Sequence, residues 1–162
     1  MSASACQTCP ALWLEYDGSC YRYFGERVIQ SEAEGLCNTF ETNSGQGSLV
    51  SISNARENDF VYDIFRSVVG DVENHMSGDD PVYGYWIGLY RQDNGAPWLW
   101  TDGTTSDYRN WRAGEPNDSN GNEDCANVWR VEDKNDNFKD WNDIACNTPF
   151  KIQYICGLER MA

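Results

Sequence analysis

The chain has 162 residues, the size of one ordinary domain, with 26 acidic against 12 basic side chains and a formal net charge of −14. That balance excludes the basic footprint of nucleic-acid binding and suits solubility, a cation site, or both. No run approaches the roughly 18 apolar residues of a membrane helix, so no membrane insertion is expected.

The first segment, residues 1–8, is a short polar arm carrying Cys6. "MSASAC" lacks the basic start and apolar stretch of a secretory leader, and reads as a mature sequence with an added initiator Met. Seven cysteines point to an oxidising compartment. The protein is therefore expected to be secreted and extracellular.

"LWLEYDGSCYRYF" reads as a hairpin turning at Asp17-Gly18. In "QSEAEGLCNTFET", Ser31 and Glu34 have capping-box spacing. Ala33, Leu36, Cys37 and Phe40 recur at i, i+3, i+4 and i+7, which predicts a helix. "LVSIS" is a strand candidate. A second helix is predicted in "NARENDFVYDIFRSVV", with Asn54 as N-cap and Phe60, Val61, Ile64 and Val68 as its apolar face. Residues 70–84 are polar and Gly-rich, read as a surface insertion, and hold the single histidine, His75. "YWIGLY", "WLWT", "ANVWRV" and "IQYIC" complete the predicted strands. The pattern is α+β, one domain, with a loop-rich C-terminal half. Loops above about 15 residues in a compact domain usually carry function or need a clamp.

Spacing alone permits many cysteine pairings. Zinc is a poor reading, because the Cys6-x-x-Cys9 pair has no second pair at ligand spacing. Pairing is more economical: Cys9 and Cys20 flank the hairpin, Cys125 and Cys146 flank an acidic loop, and Cys37 could reach Cys156. Cys6 is left over.

From Glu115 to Asp143 the chain holds nine Asp or Glu, seven Asn and only three Lys or Arg. Hard oxygen donors without His or Cys select calcium or magnesium. An EF-hand loop fails from Asp118, where Glu123 replaces the required Gly and Trp129 the closing Glu. It fails again from Asp133, with Phe138 and Ile144 at those places. Glu-Pro-Asn alone could be a plain turn, and an acidic run a solvated face. The Trp-Asn-Asp at 141–143 and both flanking cysteines favour a metal instead. Pro116 also makes a cis bond cheap.

Taken in order, "CPALWLEYDGSCYRYF", the helical Cys37, "LVSISNARENDF", "WIGL", "WLWTDG", "NW", "EPN", "NEDC", "WND" and "YIC" resemble a C-type lectin domain spanning residues 9–158, with 159–162 as a tail. The resemblance implies the lectin-like fold: two helices, small antiparallel sheets and a long calcium-binding loop region, stapled by disulfides. It implies the same three bridges, Cys9–Cys20 being the extra one of the long form. It assigns the principal calcium to Glu115, Asn117, Glu123, Asn142 and Asp143, with a cis bond at Pro116. An auxiliary calcium would use Asp118 and Asp124 with Asp93 or Asn94, but Arg91 stands where an acidic ligand is usual. A cation there is unfavourable.

The function expected is calcium-dependent carbohydrate binding. Two neighbouring sugar hydroxyls would reach the metal, donate to Glu115 or Glu123, and accept from Asn117 or Asn142. The EPN order implies mannose-type sugars (mannose, glucose, N-acetylglucosamine, fucose), as in an innate-immune or agglutinating lectin. Tyr83, Tyr85 or Trp129 could stack on the sugar. The alternatives are a galactose-type lectin through such stacking, or a protein- or mineral-binding lectin-like domain. No enzyme is expected, since His75 has no visible nucleophile or base around it. Asn117 opens a glycosylation sequon, "NDS", expected to be unused because a glycan would remove the ligand. Cys6 is expected to link a homodimer, raising avidity.

Overall fold

The computed structural model describes residues 8–43, 45–70, 84–128 and 139–159. The hairpin forms as expected: β1 (Leu14–Tyr16) pairs antiparallel with β2 (Ser19–Val28), with Tyr16 opposite Ser19. Asp17 (φ 47°) and Gly18 (φ 85°) both lie in the left-handed region, which a two-residue turn of this hand requires.

Helix α1 (Gln30–Cys37) starts with Ile29 as its N-cap residue, whose N–H donates to Glu32 Oε2 at 3.3 Å. The expected Ser31–Glu34 box is not the one used. Glu34 instead accepts from the Leu49 N–H at 2.9 Å, which ties the helix to β5 (Ser48–Leu49). A short pair, β3 (Glu41–Thr42) and β4 (Gly45–Gln46), lies between them.

Helix α2 (Ala55–Val69) opens as predicted, with Asn54 Oδ1 accepting from the Glu57 N–H at 3.0 Å. Its buried side chains are Asn58, Val61, Ile64 and Phe65. Val68, expected on that face, is 59% exposed. At 100° per residue it falls between Ile64 and Phe65 around the axis, so the last turn overhangs the core.

The remaining strands are β6 (Tyr85–Tyr90), β7 (Leu99–Trp100), β8 (Cys125–Val128), β9 (Trp141–Ile144) and β10 (Ile152–Glu159). They join the hairpin in one sheet of order β1-β2-β10-β6-β8-β9, with β5 added on β10 and β7 on β6. The β3–β4 pair stays a separate small sheet, while the other strands join through the parallel pairing of β10 with β6. Strand β9 is not among the predicted strands, its four residues lacking the apolar alternation that marks the others.

All three expected disulfides are present: Cys9–Cys20, Cys37–Cys156 and Cys125–Cys146. Cys37–Cys156 pins α1 to β10, in a cluster with Trp13, Leu49 and Trp86. A second cluster gathers α2 against Val50, Ile52, Ile87, Leu89, Trp100 and Trp141. Gly88, in the middle of β6, lets the backbones of β5 and β6 close up: its N–H donates to Val50 O and its C=O accepts from the Thr101 N–H, both at 2.9 Å. No helix among the described residues is long and apolar enough to cross a membrane.

Candidate functional site

Strand β9 sets the geometry. Trp141 points into the core, fully buried, and its Nε1 donates to Asn58 Oδ1 on α2 at 2.8 Å. On one side β9 pairs with β8, Asn142 opposite Asn127 and Asp143 opposite Ala126. On the other side the segment around Trp111 covers it. Trp141 N donates to Asn110 O, and Arg112 N to Trp141 O, both at 2.8 Å. The Cys125–Cys146 bridge closes the base of this pair.

Asp143 is fully buried, and both its carboxylate oxygens are used. Oδ1 accepts from the Asn117 N–H at 3.0 Å and Oδ2 from the Asp118 N–H at 2.8 Å. These two consecutive amides dock the Glu115–Asp118 turn onto β9. The Glu115–Pro116 bond is cis, as expected. Next, residues 118–123 clasp themselves: Ser119 N–H donates to Glu123 Oε2 at 2.8 Å, and Glu123 N–H to Asp118 Oδ1 at 3.2 Å. Asp118 and Asn120 both have positive φ, 48° and 63°, tolerated by short polar side chains that bond locally.

Glu115, Glu123 and Asp143 are therefore neighbours. Burial first, then hydrogen bonding and charge repulsion from Asp143, push Glu115 up to about 7. Glu123 is also raised, chiefly by burial. Glu115 Oε2 is buried and has no hydrogen-bond partner. An orphaned buried carboxylate oxygen beside two further carboxylates fits an oxygen-seeking cation. Among the described residues, no three His, Cys, Asp or Glu side chains form a ready-made metal cage. The expected ligand set is mixed, two of its five members being the amides Asn117 and Asn142.

Asn142 Nδ2 donates to Asn127 Oδ1 at 3.2 Å and to Asp143 O at 2.7 Å. Its amide hydrogens are engaged inside the protein, so the donor role expected of it toward a sugar would require releasing one of them. Asn117 is exposed, and its amide lies at the surface.

The residues expected to hold an auxiliary ion are arranged differently. Arg91, only 9% exposed, sends Nη2 to Asp118 Oδ1 at 2.8 Å and Nε to Asp124 Oδ1 at 2.9 Å. A guanidinium thus sits between the two aspartates. Asp93 and Asn94 lie in an exposed turn that closes with Ala96 N on Asp93 O.

Of the aromatic candidates, Tyr85 is excluded. It is fully buried in the core, its ring 4.9 Å from that of Phe65, so it can stack on no sugar. Tyr83, Trp129, His75, Cys6 and the first half of the second EF-hand stretch from Asp133 lie outside the described residues. The sequence reading missed Asn58 and Asn127, both buried amides. Asn58 carried one signal, a polar residue in the helical stripe of Val61 and Ile64; Asn127 carried none. A separate cleft of about 120 Å³, lined in part by Tyr21, Ser51, Glu57, Asp102 and Thr104, shares no residue with the acidic cluster.

Comparison with known proteins adds to this geometry. The family model described as Lectin C-type domain matches residues 26–158. An alpha-N-acetylgalactosamine-specific lectin from Patiria pectinifera is 37% identical, over 96% of this chain and 89% of that protein. A C-type lectin mannose-binding isoform from Oxyuranus scutellatus is 30% identical, over 95% and 85% respectively. The crystal structure of the C-type lectin CEL-I from Cucumaria echinata superimposes with a TM-score of 0.77 at 26% identity, covering 96% of this chain and all of that one.

Proposed function

The chain belongs to the C-type lectin domain family, and on that premise we propose that it binds carbohydrate through one calcium ion held by Glu115, Asn117, Glu123, Asn142 and Asp143. The observation that carries the proposal is the buried, unpartnered Glu115 Oε2 beside Asp143 and Glu123. When bound, calcium would compensate these carboxylates and offer open coordination positions to two neighbouring sugar hydroxyls. The protein's own part is to hold the donors. Asp143 anchors the turn through two backbone amides, Glu115 and Glu123 accept hydrogen bonds from the sugar hydroxyls, and the exposed Asn117 amide donates one. The role is binding without catalysis.

Mannose-type sugars are the preferred ligands in this reading, from the Glu115–Asn117 order. A second reading, galactose-type, is favoured by the Patiria pectinifera relative, whose name gives N-acetylgalactosamine specificity. Three disulfides support an extracellular setting. Six of the seven cysteines are paired within the chain, which leaves Cys6 for a covalent homodimer. The test is retention on immobilised mannose and on immobilised galactose in calcium. Release by EDTA supports the proposal; retention indifferent to EDTA, or none on either resin, sinks it.

A further inference from the structure

Arg91 is the one buried cation in the acidic loop region as described, and its contacts go beyond neutralising a neighbour. It follows β6 directly. Its backbone N–H donates to Asp124 O at 2.9 Å, and its guanidinium reaches three residues of the loop. Nε holds Asp124 Oδ1 at 2.9 Å, while Nη2 holds Asp118 Oδ1 at 2.8 Å and Glu123 O at 3.2 Å. The other face of the guanidinium lies over the Trp98 ring, 5.1 Å from its centre. A planar fork with fixed donor directions suits such a three-point grip, and a lysine does not.

The consequence falls on Glu123. Its C=O is held by Arg91, its N–H by Asp118 Oδ1, and its carboxylate by the Ser119 N–H. Asp118 Oδ1 is in turn fixed by Arg91. Every polar group of Glu123 thus leads, directly or through Asp118 and its successor, to one guanidinium. Without that charge, Asp118 and Asp124 would repel each other and the neighbouring Glu123 and Asp143. The loop would then need an added cation to close.

We propose that Arg91 is a positioning residue, a built-in counter-cation that holds Asp118 and Asp124 together and presets Glu123 before calcium arrives. The proposal rests on the calcium reading only for its purpose; the positioning itself is a property of the metal-free chain. Two results follow. The 118–124 segment stays ordered in chelator, and each chain takes up one calcium, since the second pair of carboxylates is already occupied.

The test is amide hydrogen exchange in EGTA on the whole chain, for wild type, Arg91→Met and Arg91→Lys. In wild type the Ser119 and Glu123 amides are expected to be protected. In Arg91→Met they should exchange about tenfold faster or more, while the β10 amides of Ile155 and Cys156 keep their protection. Arg91→Lys, which keeps the charge but cannot span both aspartates, should give a smaller loss confined to the same amides. This second variant carries the test if Arg91→Met fails to fold. Unprotected Ser119 and Glu123 amides in metal-free wild type would overturn the proposal, as would unchanged exchange in both variants. Calorimetric titration showing two calcium ions per wild-type chain would also overturn it. A titration showing no calcium uptake, with the exchange pattern intact, would sink the lectin reading and leave the positioning role standing.

Discussion

Asn58, on the buried face of α2, accepts a hydrogen bond from the Trp141 indole at 2.8 Å, across 83 residues of chain. Its Nδ2 donates in turn to Lys139 O at 3.1 Å, so one side chain fixes both the start of β9 and the tryptophan preceding Asn142 and Asp143. Replacing it by leucine leaves the buried Trp141 indole N–H unpaired and the Lys139 carbonyl with Asn110 Nδ2 as its remaining donor, at a cost of about 1–3 kcal/mol. Asn58→Leu is expected to melt several degrees lower and to bind calcium more weakly, although it touches no ligand. Calorimetry and a calcium titration check the two halves. Unchanged calcium affinity would mean that β9 is placed without this bond.

The backbone approach at Gly88 gives a second prediction. A Cβ there would lie 2.7 Å from Leu49 O and 2.8 Å from Thr101 Oγ1. The first of these is backbone and cannot swing away. Gly88→Ala should therefore destabilise by about 1–3 kcal/mol, read as a lower midpoint in chemical denaturation.

These cases show where the sequence was informative. Short-range chemistry was legible: the Asp17-Gly18 turn, the Asn54 cap, and the cysteines that flank what they clamp. The oxygen-rich character of Glu115–Asp143 is legible too, because a run of oxygens with so few cations is chemically unusual. What escaped were partnerships between distant segments. Nothing near Asn58 announces Trp141, and nothing near Asn142 announces Asn127. Tyr85 borders the polar insertion at 70–84 and so stands as a candidate ring for a sugar, yet it faces Phe65 in the core. Val68 had the right helical angle, but angle does not say where a core ends. Arg91 was noticed as a misfit to an ion site. The three-dimensional contacts show that its guanidinium bridges Asp118 and Asp124.

Acidity should act through Glu115. Its ordinary value of 4.5 is raised to about 7 in the metal-free fold, so between those values the folded chain holds a proton that the unfolded chain has lost. Metal-free stability then falls as pH rises through that window and levels above it. Calcium reverses the sign, because it needs the carboxylate and expels the proton. The midpoint in EGTA is expected to be higher at pH 5.5 than at pH 8, with the order inverted in calcium, and Glu115→Gln should flatten the EGTA trend. Thermal melts at both pH values check this, and an EGTA midpoint that rises with pH would contradict it.

Cys6 should carry the link between subunits. On non-reducing gels wild type is expected to run as a dimer and Cys6→Ser as a monomer, with weaker agglutination by the variant because avidity is lost. A wild type that runs only as monomer would exclude the covalent dimer.

Sugar class is the most exposed prediction. Glu115 supplies an acceptor and Asn117 a donor, in that order, and in similar lectins this order suits equatorial neighbouring hydroxyls such as those at positions 3 and 4 of mannose. Galactose presents an axial 4-hydroxyl, and relatives preferring it usually carry Gln-Pro-Asp, which reverses the hydrogen-bond polarity. Exchanging Glu115→Gln together with Asn117→Asp keeps the total charge and the number of oxygen ligands, so the loss it causes reports polarity and not metal. Wild type is expected to be inhibited more strongly by free mannose than by galactose, and the double exchange to weaken mannose inhibition about tenfold or more, the equivalent of one misdirected hydrogen bond to a charged group. A sugar can also rotate on the metal, and an aromatic stack can favour galactose despite the order; with Tyr85 buried, the rings left for that are Tyr83, Trp129 or another. Stronger inhibition of wild type by galactose or N-acetylgalactosamine would show that stacking sets the preference, in line with the Patiria pectinifera relative. In that case the double exchange should strengthen galactose binding, because polarity and stacking would then favour the same sugar.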